Sequence, residues 1–147
     1  MMEQCKNKMN DVQNVFLVGA KSLGAYGGYE TFVYKLTEYH QNNPNIKYHV
    51  ACKANGDGCM DETKLDNVKR ISDTEFEFHH ARCFKIHIPQ IGPAQAIYYD
   101  VAALRESCKY IKKNNIENPI VYIMACRIGP FAKHFYKEIH KLGGKVY

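Results

Sequence analysis

The stretch that decides the fold runs from residue 14 to residue 31 and reads Asn14-Val-Phe-Leu-Val-Gly19-Ala-Lys-Ser-Leu-Gly24-Ala-Tyr-Gly27-Gly28-Tyr29-Glu30-Thr31. Its first six residues form a short apolar run that ends in glycine, which is typical of a buried parallel strand. A glycine-rich turn follows, and the apolar spacing beyond it predicts a helix from Glu30 to His40. The residues expected on the inward face of that helix are Phe32, Val33, Leu36 and Tyr39.

The middle of the chain continues with strands and a long loop. Asn42–Asn45 contains a proline that ends the first helix, and Ile46–Cys52 alternates like a second strand. Residues 53–74 are polar and rich in glycine and aspartate, so we expect a loop with at most a short helix. Residues 76–89 read as extended chain, within which Cys83–Ile88 is the best strand candidate.

The last third of the chain alternates between helix and strand. Pro93 opens a helix, residues 120–125 form a buried strand, Gly129 and Pro130 begin a last helix, and residues 145–147 begin another strand. The inward stripe of the first of these helices comprises Ile97, Val101, Leu104, Cys108 and Ile111. The inward stripe of the last helix comprises Phe131, Phe135, Ile139 and Leu142.

This alternation predicts an α/β fold of one domain over residues 1–147, with a Rossmann-like open parallel sheet and helices on both faces. In such sheets, ligands bind at the carboxyl ends of the strands, near the point where the strand order reverses. The loops after Gly19, Cys52, Ile88 and Ala125 are therefore the places where we expect a site.

Composition excludes several protein classes. The chain has 147 residues, 46% of them apolar and 24% charged, which is ordinary for a globular protein and excludes a disordered or coiled-coil chain. The longest uncharged apolar run, Ile120–Cys126, is too short to cross a bilayer, and residues 1–10 lack the hydrophobic stretch of a secretory signal. We therefore expect a cytoplasmic protein.

The net charge of +5 is concentrated in the second half of the chain. Residues 1–75 hold nine Lys or Arg and ten Asp or Glu, whereas residues 76–147 hold eleven and five. Two basic helical stripes account for much of this excess: Arg105, Lys109 and Lys112, and Lys133, Lys137 and Lys141. They are either solvated helix faces or a contact with an anionic membrane or lipid-linked acceptor. Nucleic acid is not expected, because no recognised reading module accompanies them.

The loop from Gly19 to Thr31 is the main candidate for chemistry. Glycines let the backbone approach a ligand, and the free amides at a helix start favour an anion. The spacing fits neither the G-x-G-x-x-G fingerprint nor a Walker loop. The residues alone leave two readings open, a phosphate or carboxylate site and a merely tight turn. Glu30 likewise has a structural alternative, since an acidic residue in the first turn stabilises the helix dipole.

Neither the cysteines nor the histidines predict a metal site. The six cysteines (5, 52, 59, 83, 108 and 126) lack paired zinc-ligand spacing, and we expect reduced thiols, mostly in the core. His79 and His80 are adjacent on an expected extended chain, so their side chains should point to opposite faces. His134 and His140 are six apart on a helix, a poor spacing for joint ligation.

Aromatic and acidic residues at the start of the second helix leave alternatives open. Tyr98 and Tyr99 either pack in the core or present the aromatic faces on which sugars stack. Asp100, in the first half of the helix, faces either the cleft or water. We keep Asp100, together with Tyr29, as a candidate for contact with an acceptor substrate.

Three blocks of the chain carry a family resemblance. Gly24-Ala-Tyr-Gly-Gly-Tyr-Glu-Thr-Phe32 resembles the Tyr-Gly-Gly-Phe-Glu-Thr-Phe signature of bacterial rhamnosyltransferase-like enzymes, with Tyr29 in place of the commoner Phe. Ile91-Gly-Pro-Ala-Gln-Ala-Ile-Tyr-Tyr-Asp100 and Tyr122-Ile-Met-Ala-Cys-Arg-Ile-Gly-Pro-Phe131 are similar to later blocks of the same group. These enzymes belong to the retaining glycosyltransferases typified by sucrose synthase, and the resemblance extends from about Val15 to Tyr147.

The resemblance implies the amino-terminal, acceptor-side half of a two-domain GT-B fold that needs no metal or other cofactor. It places Gly24, Tyr26, Gly27 and Gly28 on a loop that faces the diphosphate and sugar of a nucleoside-diphosphate-sugar donor. It places Arg127 and Gly129 on a neighbouring loop that faces the same cleft. It names no catalytic residue in this part of the chain.

The resemblance also implies what the chain transfers and what it lacks. The donor is expected to be an activated deoxysugar such as dTDP-rhamnose, and the acceptor a lipid-linked saccharide for capsule or other surface polysaccharide. Members of the group continue into a donor-binding domain that is absent from residues 1–147, so we expect this chain alone to be inactive. The expected location is cytoplasmic, with peripheral contact at the inner face of the plasma membrane.

Two other function classes remain as alternatives. The chain is also compatible with a free-standing Rossmann-like module that binds a nucleotide or a protein without catalysis. A dehydrogenase fragment is disfavoured because the dinucleotide fingerprint is broken.

Overall fold

The computed structural model describes residues 12–24, 27–125 and 128–147. The strands are β1 (Gln13–Val18), β2 (Ile46–Lys53), β3 (Lys69–Arg70), β4 (Glu75–Phe78), β5 (Ala81–Ile86), β6 (Ile120–Ile123) and β7 (Lys145–Val146). The α-helices are α1 (Gly28–His40), α2 (Gln95–Lys113) and α3 (Ala132–Lys141). Short 3-10 turns lie at Glu62–Lys64, Gly92–Ala94 and Gly129–Phe131. These elements follow the predicted order closely.

All seven strands form one sheet in the order β3-β4-β5-β2-β1-β6-β7. Strands β5, β2, β1, β6 and β7 are parallel, which confirms the predicted α/β Rossmann-like architecture. The sheet is nevertheless mixed, because β4 runs antiparallel to β5 and β3 antiparallel to β4. Strand β4 departs from the predicted parallel arrangement because a two-residue turn, too short for a helical crossover, joins it to β5.

The turn between β4 and β5 consists of His79 and His80, which have φ angles of 51° and 63°. Two positive φ values in a two-residue connection describe a type I′ hairpin. The premise that these histidines lie on extended chain is therefore wrong. His79 stacks on Phe78 and its Nδ1 lies 3.1 Å from Thr37 Oγ1. The contact with Thr37 holds the turn against α1.

Helices cover both faces of the sheet, as predicted. Helix α1 packs on one face, where Val33 meets the apolar side chains of β1, β2 and β5. Helices α2 and α3 pack on the other face, around Phe16 and Val18 of β1. Because β1 lies in the middle of the sheet, its residues are covered on both sides and its apolar run has no polar alternation.

The predicted inward face of α1 was wrong in part. Val33 is buried, but Phe32 and Tyr39 are 45% and 84% exposed, and Thr37 is buried in their place. Thr37 can occupy a buried position because its hydroxyl donates to the carbonyl oxygen of Val33 at 2.9 Å. Phe32 instead lies at the rim of the sheet, with its ring centroid 6.3 Å from that of Tyr122.

The inward stripes of α2 and α3 were correct except at their first positions. Leu104, Cys108 and Ile111 of α2 are buried, as are Phe135 and Ile139 of α3. The first residue of each predicted stripe, Ile97 in α2 and Phe131 before α3, is about half exposed. Each of these side chains lies at the end of its element, where less of the sheet remains to cover it.

A buried polar network joins β1, β2, β4 and β5 beneath α2. Arg82 Nε donates to His49 Nδ1 at 2.9 Å, so His49 carries its proton on Nε2 and donates to Asn14 Oδ1 at 2.8 Å. Arg82 also donates to Glu75 Oε1 at 2.9 Å and lies 3.6 Å from the centroid of the Tyr110 ring. Burial, then the charge of Arg82, lowers the pKa of His49 to about 2.

The basic stripes of α2 and α3 lie on the outer surface, where all six of their side chains are exposed. Lys109 pairs with Glu106 at 3.2 Å, and Lys112 pairs across the helices with Glu138 at 2.6 Å. These two pairs offset only two of the six basic charges in the stripes, so this surface keeps a net positive charge. In the described part of the chain, no helix combines the length and the apolar content needed to span a bilayer.

Candidate functional site

The loops that follow β1, β2, β5 and β6 lie together at the carboxyl-terminal ends of the parallel strands. The amide of Lys53 donates to the carbonyl oxygen of Lys21 at 2.8 Å, and the amide of Ala54 donates to that of Ile86 at 2.8 Å. The loops are close together because the carboxyl ends of parallel strands all lie at the same end of the sheet. The structure thus brings together the loops in which a site was predicted.

The glycine-rich loop lies at the centre of this end of the sheet, and two of its glycines have backbone conformations that disfavour other residues. Gly19 has a φ of 128°, and a Cβ on it would lie 3.0 Å from the amide nitrogen of Ala125 after β6. Gly27 has a φ of 97°, and a Cβ there would overlap the Glu30 carboxylate. Gly24 and Gly28 face open space, with nothing within 4 Å of an added Cβ. The loop therefore leaves backbone accessible at Gly24 and Gly28.

Glu30 closes the loop onto the start of α1. Its Oε1 accepts a hydrogen bond from the amide of Lys21 at 3.0 Å, and the helix begins with the bond from the Thr31 amide to the Gly27 carbonyl oxygen at 3.1 Å. This contact supports the structural alternative for Glu30. No side chain among the described residues caps the start of α1, so its first amides can face a ligand.

A cavity of about 1070 Å³ runs along the glycine-rich loop, and we call it the glycine-loop cavity. Four of the predicted site residues line it: Gly24, Gly27, Gly28 and Tyr29. Its opposite wall is formed by residues 58–65, a polar segment whose role the sequence did not reveal. The volume suits a nucleotide or a short saccharide.

The charges around the glycine-loop cavity are mixed, with lysines in excess. Lys21, Lys35 and Lys64 line it, against Glu30 and Asp61. Hydrogen bonds from the hydroxyl and the amide of Thr63 lower the pKa of Asp61, which keeps this carboxylate ionised. Glu30 is already engaged by a backbone amide. The three ammonium groups and the helix start therefore favour an anionic ligand.

An apolar floor lies under the same cavity. Leu23 and Met60 are almost fully buried, and the amide of Leu23 donates to Met60 Sδ at 3.4 Å. Tyr29 is 47% exposed, and its ring forms part of the cavity wall. A ring facing a polar cavity can stack on a sugar and also offers a hydroxyl. The cavity therefore combines a wall that favours anions, formed by the lysines and the start of α1, with the aromatic ring of Tyr29.

The expectation that Asp100 faces the cleft or water is wrong. Its side chain is fully buried within α2, so it reaches neither water nor the lining of the glycine-loop cavity. Its neighbour Tyr99 is also buried, and the Tyr99 hydroxyl donates to the carbonyl oxygen of Ala20 at 2.5 Å. Tyr99 thereby ties α2 to the glycine-rich loop. Tyr98, by contrast, is 43% exposed.

The second predicted cleft loop follows β6. Gly129 is exposed there, with a φ of 42°, and it begins the turn that leads into α3. The loop adjoins the glycine-rich loop, because the amide of Met124 donates to the carbonyl oxygen of Val18 at 2.9 Å. Arg127 and Tyr26, the remaining predicted site residues, lie outside the described residues.

Potential metal ligands are dispersed. Among the described residues, no group of three or more His, Cys, Asp or Glu side chains is placed to hold a metal ion. Cys52, Cys83 and Cys108 are buried free thiols, whereas Cys59 is exposed at the wall of the glycine-loop cavity. A hydrogen bond with Cys83, together with burial, raises the pKa of Cys52. Cys5 and Cys126 lie outside the described residues.

Comparison with known proteins gives one family match. Residues 12–147 match the model of a family described as Domain of unknown function (DUF1972). The matched range includes every strand and helix of the sheet, the glycine-rich loop and the loop after β6. None of the curated proteins compared with the chain matches it.

Proposed function

Because the chain belongs to the DUF1972 family, we propose that it is the acceptor-side, amino-terminal domain of a glycosyltransferase. Domains of this family are known at the amino termini of such enzymes. The observation that carries the proposal is the glycine-loop cavity, where Gly24, Gly27 and Gly28 lie beside the start of α1, which no described side chain caps. Backbone amides at such a position bind phosphate oxygens.

The proposed reaction is transfer of a sugar from a nucleoside-diphosphate donor to an acceptor hydroxyl. The bond between the anomeric carbon and the diphosphate breaks while the acceptor oxygen forms a bond to that carbon. Negative charge develops on the departing diphosphate, which takes up the proton of the acceptor hydroxyl. Amides at the start of α1 and the ammonium groups of Lys21, Lys35 and Lys64 are placed to stabilise that charge. We expect no metal in this step, and we assign no general base among the described residues.

We further propose that the donor is a deoxysugar nucleotide such as dTDP-rhamnose and that the acceptor is a lipid-linked saccharide. The exposed basic faces of α2 and α3 suit an approach to the anionic inner face of the plasma membrane. A second domain would contribute most of the nucleotide recognition, so the isolated 147-residue chain should bind donor weakly and should not turn it over.

The test is an NMR titration of the ¹⁵N-labelled chain with dTDP-rhamnose, with dTDP and with NAD. We expect the two thymidine nucleotides to shift the amides of Gly24, Gly27 and Gly28. Tight binding of NAD would contradict the proposal and favour a dinucleotide-binding module. Shifts confined to the β3–β4 edge of the sheet would also contradict it, because that edge lies far from the glycine-rich loop in the strand order.

A further inference from the structure

One peptide group of the glycine-rich loop, the one between Ala20 and Lys21, is held from both faces of the sheet. Its carbonyl oxygen accepts a hydrogen bond from the Tyr99 hydroxyl of α2 at 2.5 Å. Its N–H donates to Glu30 Oε1 of α1 at 3.0 Å. Because α1 and α2 cover opposite faces of the sheet, this peptide group lies between the two helices. We call the two hydrogen bonds the peptide clamp.

The peptide clamp fixes an orientation because a peptide group is planar. The carbonyl and the N–H of a trans peptide point in opposite directions, so a rotation of the plane would break both hydrogen bonds at once. Further contacts hold the residues that follow. The carbonyl oxygen of Lys21 accepts from the amide of Lys53 at 2.8 Å, and the amide of Leu23 donates to Met60 Sδ at 3.4 Å. The backbone that leads to the glycines is therefore held on several sides.

The Tyr99 hydroxyl holds the buried end of this peptide group. Tyr99 is 1% exposed and Ala20 is fully buried, so water cannot readily take the place of the hydroxyl. A buried carbonyl that loses its donor lowers its free energy by turning toward solvent. Loss of the Tyr99 hydroxyl should therefore rotate the peptide group and displace Lys21, whose side chain lines the glycine-loop cavity.

We propose that Tyr99 is a positioning residue of the glycine-loop cavity. It acts through Ala20 to fix Lys21 and the backbone that continues to Gly24, and these groups line the cavity. The inference rests on the proposed function for the identity of the ligand, a nucleoside diphosphate. The peptide clamp itself can be tested without any ligand.

Two variants that each remove one phenolic oxygen and keep the ring separate positioning from stability. They are Tyr99→Phe and, as the matched control, Tyr48→Phe. Tyr48 is 8% exposed, and its hydroxyl lies 2.9 Å from Nδ1 of His40, the last residue of α1. Each variant loses one largely buried hydrogen bond, so a general loss of stability should be similar in both. An effect found only in Tyr99→Phe is an effect on the loop.

The first measurement is amide hydrogen exchange of the ligand-free, 147-residue chain, followed by NMR. In Tyr99→Phe we expect the amides of Lys21, Leu23 and Lys53 to exchange about three- to tenfold faster than in the wild type, as for loss of one hydrogen bond that holds the loop. In Tyr48→Phe these amides should keep their wild-type rates. Equal acceleration in both variants, or none in Tyr99→Phe, would overturn the inference.

A double-mutant cycle tests whether the two helices hold the same peptide group. Glu30→Ala releases its N–H, and Tyr99→Phe releases its carbonyl. Because either release frees the whole plane, the double variant should accelerate exchange at Leu23 and Lys53 by clearly less than the product of the two single effects. The full product would mean that the two contacts act independently, which would contradict the peptide clamp.

The second measurement is titration of the same proteins with dTDP. Tyr99→Phe should weaken dTDP binding about threefold or more, whereas Tyr48→Phe should bind like the wild type. Unchanged dTDP binding by a Tyr99→Phe chain whose loop amides exchange faster would overturn the positioning role. If exchange in Tyr99→Phe is faster as described but the wild type does not bind dTDP, the peptide clamp stands and the proposed function fails.

Discussion

Acidification from pH 7 to pH 5 should destabilise the fold through His49. This imidazole is 2% exposed and is held neutral between Arg82, which donates to it, and Asn14, which accepts from it. Protonation would place a second cation beside the Arg82 guanidinium and break the hydrogen bond between them. Burial, followed by the charges of Arg82 and Lys47, accordingly lowers the pKa of His49 from 6.5 to about 2.

The magnitude follows from proton linkage. Because the folded-state pKa lies below the unfolded value, the unfolded chain binds the proton first as the pH falls, and stability is lost below about pH 6.5. The free energy of unfolding then decreases by about 1.36 kcal/mol per pH unit. Integrated from pH 7 to pH 5, with a folded-state pKa far below this window, the loss from His49 is about 1.9 kcal/mol.

The assay is urea unfolding at pH 7, 6 and 5, monitored by circular dichroism, for the wild type and for His49→Gln. Glutamine offers an oxygen to Arg82 and an N–H to Asn14 but does not titrate. The variant is expected to start less stable and to lose about 1.9 kcal/mol less than the wild type between pH 7 and pH 5. The matched control is His134→Gln, on the exposed side of α3, which should keep the wild-type pH dependence.

Two results would refute this reasoning. One is an equal loss of stability on acidification in the wild type and in His49→Gln. The other is an NMR titration in which the His49 ring resonances shift with a midpoint near pH 6, which would mean that the imidazole protonates inside the fold. His79 does not interfere, because its pKa, also lowered by burial, contributes equally to both proteins.

Three further predictions concern packing, the glycine-rich loop and the thiols. Gly144→Ala should destabilise the fold by about 1–3 kcal/mol in urea unfolding, because the added Cβ would lie 2.8 Å from the carbonyl oxygen of Pro119. An unchanged unfolding midpoint would contradict this close packing. Glu30→Ala should cost about 1.5 kcal/mol by the same assay and expose the Lys21 amide to faster hydrogen exchange, whereas unaltered exchange would show that the carboxylate does not hold the loop. Cys59 should react with iodoacetamide at pH 8 well before the three buried thiols, as followed by peptide mass spectrometry; simultaneous labelling would contradict their burial.

Much of the fold could be predicted because its signals are local. Buried parallel strands read as continuous apolar runs, and the helix breaks at Pro44 and Gly143 are visible in the sequence. The hairpin was missed because its turn, His79-His80, lacks the Asn-Gly or Gly-Gly pair that usually marks a type I′ connection. Histidine tolerates the positive φ here because the turn is held by contacts with α1, which are tertiary.

The sequence could predict which loop forms the site, but not the cavity beside that loop. The glycines and the start of α1 are adjacent in the sequence, so the loop was found, whereas the cavity forms between segments that are distant along the chain. Lys21 and Lys53 are brought together by strand pairing, and residues 58–65 carry no motif that marks them as a cavity wall. The prediction for Asp100 was wrong because helical spacing indicates on which face of the helix a residue lies. It does not indicate how completely the neighbouring elements bury that face.

The central claim is that the glycine-loop cavity binds the diphosphate of a nucleotide sugar. Its most direct test is calorimetric titration of dTDP-rhamnose into the wild-type chain and into Lys64→Met, which removes a cation from the cavity wall, with Lys69→Met as the matched surface control. We expect weak, saturable binding that falls about tenfold in Lys64→Met and is retained in Lys69→Met. Equal affinities in all three proteins, or no saturable heat in any of them, would contradict it.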